Sequence, residues 1–141
     1  MTKLLRFPFT LAMLLSLIAA GLYGGSHVGS LDPDLHRSAG YSMRLLVEGE
    51  IHRAVSSLFL TAGGWRFYCS EVMVALAVGF IEWSRGTFRA AITFLGIHFA
   101  TLITMTVGVV LWDELKPSVL SDLLWNVQDV GPSAGYYGCL G

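Results

Sequence analysis

Charge is the scarcest ingredient of this chain. Only 13% of its residues are charged, and they nearly cancel, leaving a formal net charge of -1. Without a basic excess there is no electrostatic hold on a polyanion, so nucleic acid is not an expected partner. Cysteine is nearly absent as well. Cys69 and Cys139 stand alone and form no close-spaced metal motif, so no metal site is expected. Both read as small, buried, apolar helix residues, with a disulfide between them left open. No internal repeat and no low-complexity tract interrupts the sequence. What is abundant is apolar surface: 54% of residues are hydrophobic and the mean hydropathy is +0.62. That is too apolar for an ordinary soluble domain. A length of 141 residues allows one domain, taken as residues 1–141.

The apolar residues gather into three full-length runs and the start of a fourth. The first run covers residues 7–23, the second 65–83 and the third 90–112. A further stretch begins near Asp129 and has too few residues to cross a hydrocarbon layer of ~30 Å at about 1.5 Å per residue. The basic start Met1–Arg6 followed by an apolar run resembles a signal peptide. The run reaches the minimum of ~17 residues for a span, however, and is read as a retained helix. The expected fold is therefore an all-α, polytopic integral membrane protein.

Residues 24–64 form a long polar segment. It holds a turn signal at Asp32-Pro33-Asp34 and an amphipathic piece, Ile51 to Leu60. There Ala54, Val55, Leu58 and Phe59 recur at helical spacing, predicting an interfacial helix. The short connection Ser84 to Arg89 makes the second and third runs antiparallel neighbours. Residues 113–128 predict another interfacial helix. Lys3 and Arg6 precede the first run, and Arg85 and Arg89 fill the short connection. Basic residues in short loops stay cytoplasmic, so the N-terminus is expected in the cytoplasm, in a membrane of the bacterial inner type. Trp65, Trp83 and Trp112 mark run ends and read as interfacial anchors.

The last stretch carries the chemistry of interest. Gly131-Pro132-Ser133-Ala134-Gly135 places a serine among small residues at a helix start, with Tyr137 one turn later on the same face. A serine in that setting is what an intramembrane hydrolase needs as a nucleophile. The plainer reading is helix packing: Gly131, Gly135 and Gly138 would admit a close neighbour. Pro132 then suits a first helical turn and Asp129 an N-cap.

Four features together resemble the rhomboid family of intramembrane serine proteases. Glu50-Ile51-His52-Arg53 followed by Ser56 to Gly63 is similar to the family's loop segment, in which an arginine leads into an interfacial helix. Glu82-Trp83-Ser84-Arg85-Gly86 matches its glutamate and glycine four residues apart. The order of elements agrees: one span, a long outer loop, a tight two-helix hairpin and a glycine-rich fourth helix. Gly131 to Gly135 resembles the Gly-x-Ser-Gly nucleophile motif, and Tyr137 the aromatic that packs on the catalytic histidine. The resemblance runs from about Glu50 to Gly141 and implies a rhomboid-like bundle with Ser133 as nucleophile.

The departures are specific. The family's histidines and asparagine along the second helix and before it fall on Thr61, Arg66 and Ser70. The tryptophan before the loop arginine is His52, and the glycine after the serine is Ala134. The family's catalytic histidine comes from a sixth helix that this sequence does not contain. A serine hydroxyl needs a positioned base, and each oxyanion donor is worth roughly 10²–10³ in rate. The expectation is therefore a non-catalytic rhomboid-like protein that contacts lipid, packs against transmembrane segments of other proteins and belongs to a larger membrane assembly. One alternative is an active serine protease given as an incomplete chain. Another is an accessory subunit of an energy-transducing complex.

Other residues have plainer expectations. His98, mid-run, is either a neutral donor to a neighbouring helix or the ligand of a pigment or haem. No cofactor is otherwise called for. Glu82 and Arg85 read as a boundary pair or a helix-end charge set, Gly86 as a structural or packing residue, and Arg53 as a tie between outer loop and helices. Glu71 reads as solvated or paired with Arg66.

Overall fold

The computed structural model describes residues 6–141; Lys3, on which part of the orientation argument rests, lies outside them. The described residues are helical, and two isolated bridges are their only β pairing. Eight α-helical segments follow in order: α1 (Pro8–Tyr23), α2 (Pro33–Ala39), α3 (Met43–Val47), α4 (His52–Ser56), α5 (Trp65–Arg85), α6 (Thr87–Leu115), α7 (Val119–Asn126) and α8 (Ser133–Cys139).

Two helices, α5 and α6, are long and apolar enough to cross a membrane. With 21 and 29 residues they extend about 31 and 43 Å. Both outrun the expected spans because one residue alone separates them. Gly86 has φ +86°, a left-handed conformation that glycine adopts at no steric cost. The expected first span comes out shorter. α1 is an apolar helix of 16 residues, about 24 Å, less than a hydrocarbon layer. Pro8 opens it with a preset φ and no N–H to satisfy. The helix then stops at Gly24, whose N–H bonds to Ala20 O at 2.8 Å.

The outer segment is built from short capped helices. Asp32 caps α2 by accepting the N–H groups of Asp34 and Leu35, both at 2.9 Å, and Pro33 takes the first position. The interfacial helix expected over Ile51–Leu60 is α4 plus a 3-10 turn, Ser57–Phe59. Ala54 and Leu58 are buried as the spacing predicts, whereas Val55 faces outward. Arg53 bonds the carbonyl of Arg37 at 2.7 Å and pairs with Glu50. It thus ties α4 to the end of α2, within the outer segment, and not to the long helices. Bridges Ser30–Gly63 and Tyr41–Asp129 anchor this segment to the approach of α5 and to the strand-like lead into α8.

One core joins α1, α5, α6 and α8 around Leu17, Val74, Val78 and Phe94. A second, around Tyr41, Met43, Ala54 and Val109, seats the outer helices on the far half of α6. Tyr41 bonds to Thr106 at 2.6 Å, and burial pushes its hydroxyl above the usual tyrosine range despite that bond. Polar side chains lie inside the bundle (Glu82, His98, Thr106), while Leu76, Phe80, Ile103 and Leu111 face out. That inversion is what a hydrocarbon solvent favours.

Three charged residues depart from expectation. Glu82 does not pair with Arg85. It is 2% exposed, and its carboxylate accepts the N–H of Phe9 at 3.0 Å, the N–H of Thr10 at 2.8 Å and the Thr10 hydroxyl at 2.7 Å. A side chain of α5 therefore caps the N-terminus of α1, which has no cap of its own. Asp129 does not cap the final helix. Its backbone is engaged with Tyr41, its side chain accepts the Val130 N–H at 2.9 Å, and the cap position of α8 is Pro132.

Glu71 is neither solvated nor paired with Arg66. Both carboxylate oxygens are buried, with no partner among the described residues. An unpartnered buried polar group costs roughly 1–3 kcal/mol. Glu71→Leu is thus expected to raise stability by about that amount, read as a higher thermal midpoint in detergent. A lower midpoint would reveal a partner for the carboxyl.

Candidate functional site

A cleft of about 550 Å³ lies between the N-terminal turns of α5, the Thr61–Ala62 segment and the start of α8. Its position follows from how α8 is held. Gly135 lies against Phe94, where an added Cβ would fall 2.6 Å from the ring, and Gly138 lies against Ile97 in the same way. These two glycines pack α8 on α6, as the small-residue spacing predicts. Gly131 does not take part in that packing. It has φ +137° and turns the chain into α8, donating to Ser57 O at 2.9 Å.

With the glycine face turned to α6, the opposite side of α8 meets the cleft. Ser133 and Tyr137 both line it and are exposed, one turn apart. The Ser133 hydroxyl has no hydrogen-bond partner among the described residues. Across from it stand Arg66, Cys69 and Ser70 on α5, with Thr61 at the rim. Thr61, Arg66 and Ser70 thus share one cleft with Ser133. Thr61 is buried and bonded to Ser26 at 3.2 Å. Ser70 is buried beside Tyr136. Arg66 is exposed, its guanidinium 5.9 Å from the Trp65 ring centroid.

The histidines lie elsewhere. His27 Nδ1 is 3.0 Å from Gly21 O, His36 sits half-buried on α2, and His52 is exposed at the start of α4. His98 is 2% exposed between α6 and α4, with Nε2 3.3 Å from the Ala54 carbonyl. A carbonyl can only accept, so Nε2–H is the donor of this bond to the neighbouring α4. None of the four lines the cleft. The described residues hold no cluster of three metal-ligating side chains.

Tyr136, on α8 itself, was not singled out from the sequence, and Asp129 enters the cleft from the lead into α8, where only a cap was expected of it. Cys69, expected to be buried, is exposed in the cleft as a free thiol, whereas Cys139 is buried. A signal for Cys69 existed, since it stands three residues after Arg66 and four after Trp65 and so shares their face. Beyond Ser70 and Met73, α5 loosens into a π-turn at Val74–Val78 before recovering α-helical geometry. Such turns often lie near functional positions.

As arranged, the cleft offers hydroxyl and guanidinium donors to a carbonyl or an anion; no histidine lines it, and its one carboxylate, Asp129, accepts the Val130 N–H. Comparisons with protein-family models, with curated proteins and with solved structures found no match.

Proposed function

We propose that this chain is a rhomboid-like membrane protein that holds a segment of a partner membrane protein in the Ser133 cleft without cleaving it. The observation carrying this reading is that Ser133 and Tyr137 open onto a cleft that none of the four histidines lines. A serine hydroxyl without a positioned base is a weak nucleophile but a good hydrogen-bond donor to a backbone carbonyl. Arg66 and Ser70, opposite, add donors of the same kind. In this reading α5 and α6 cross a bacterial inner membrane, Arg85 and Arg89 lie on the cytoplasmic side and the cleft opens at the outer side.

A second reading is hydrolysis, with a base brought to Ser133 by another part of the assembled protein. It is favoured by the free Ser133 hydroxyl, which is not tied up in packing.

A fluorophosphonate probe applied to the full protein in native membranes separates the two. The expected result is no labelling, together with photocross-linking of a partner's transmembrane segment from benzoylphenylalanine at position 137 and none from lipid-facing position 111. Labelling that disappears in Ser133→Ala would overturn the non-catalytic reading in favour of hydrolysis.

A further inference from the structure

Arg66 is the single cation lining the Ser133 cleft, and it has no carboxylate within ion-pair distance among the described residues. The ion pairs that form elsewhere engage Arg37, Arg44 and Arg53 instead. Neither Glu71 nor Asp129 pairs with it. Glu71 is buried away from the cleft wall. Asp129 does line the cleft, with its backbone bridged to Tyr41 and its side chain accepting the Val130 N–H, and it forms no ion pair with Arg66. The guanidinium lies near the Trp65 ring, so its position is partly set before any ligand arrives.

We propose that Arg66 makes the cleft selective for an extended partner segment carrying Asp or Glu two residues outward of the residue that faces Ser133. This rests on the segment-binding reading above and names the chemistry of its partner. The spacing comes from helix and strand geometry. Arg66 precedes Ser70 by four residues, about 6 Å of helix rise. In an extended segment, residues two apart point the same way and lie about 6.6 Å from one another. A segment whose backbone sits at the level of Ser70 and Ser133 therefore brings its next same-facing side chain to Arg66. A carboxylate there forms a charge-assisted pair with a guanidinium that otherwise has none. Asp129 also lines the cleft, and its charge disfavours a second acid beside it. An exposed pair of this kind gives roughly 1.4–5-fold over a neutral side chain, and a like charge is disfavoured by a similar factor.

The test uses the full chain in phosphatidylcholine nanodiscs, with benzoylphenylalanine at position 137. The probes are Leu/Ala transmembrane peptides whose extended Gly/Ser outer end carries Asp, Asn or Lys at the stated position. Cross-linking yield is expected to fall in the order Asp, Asn, Lys, by about 3–10-fold between the extremes. Arg66→Lys should retain the order and Arg66→Glu should reverse it, and both exposed substitutions should leave the thermal midpoint unchanged. Equal yields for the three peptides, or an order that Arg66→Glu does not alter, would overturn the selectivity while leaving segment binding intact. Equal yields combined with Arg66-dependent cross-linking to phosphatidylglycerol would assign the guanidinium to lipid and overturn it too. Failure of every peptide to cross-link would instead remove the segment-binding reading itself.

Discussion

Glu82→Leu is expected to be the most damaging single change in this chain, lowering stability by about 3 kcal/mol or more. Three donors converge on this carboxylate: two backbone N–H groups at the first turn of α1 and the Thr10 hydroxyl. Hydrogen bonds to a charged group contribute roughly 1.5–3 kcal/mol each, and they are not independent here. Leucine removes the acceptor and leaves those donors, two of them buried, without a partner. Glu82→Gln keeps one acceptor oxygen and should lose about half as much. Chemical or thermal unfolding in detergent reads the order wild type, Gln, Leu. If Leu and Gln proved equal, the carboxylate would be acting by charge alone and not as a cap.

Gly135→Val comes next, and its effect reaches the cleft directly. The Cβ of any larger residue at 135 would lie 2.6–2.8 Å from three atoms of the Phe94 ring. Phe94 is completely buried and sits in the core shared by α1, α5 and α6, so the ring has nowhere to go. Overpacking of this kind costs roughly 1–3 kcal/mol, and the cheapest relief is for α8 to leave α6. Cys139 reports the movement because it is 4% exposed on the same helix. Its maleimide reactivity should rise sharply in Gly135→Val, while that of exposed Cys69 should change little. Phe94→Leu in the same chain should restore part of the protection, by less than full additivity of the two changes. Unchanged Cys139 reactivity would mean that the ring yields instead of the helix.

The two predictions turn on contacts of different legibility. The fit of Gly135 and Gly138 against a neighbouring helix could be read from the small-residue pattern, because close helix packing leaves a local signature. The partner of Glu82 could not. Its donors lie 72 and 73 residues away in sequence, while Arg85, three positions on, offered a nearer and false match. Asp129 misled in the same manner. It stands where a helix cap would stand, yet Tyr41 claims its backbone.

Helix type, the approximate positions of α5 and α6, their tight connection and the shared face of Ser133 and Tyr137 were all written in local sequence. Each depends on hydrophobic run length, backbone freedom or the 3.6-residue period, which act over a few residues. Tertiary structure alone decided that Glu82 would cap α1, that Glu71 would be buried without a partner, and that Arg66, Ser70 and Ser133 would border one cleft with every histidine outside it. Those outcomes depend on how helices far apart in the chain come to lie against one another. A buried polar group settles for whichever partner that packing brings within about 3 Å, and nothing in its sequence neighbourhood encodes which one it will be.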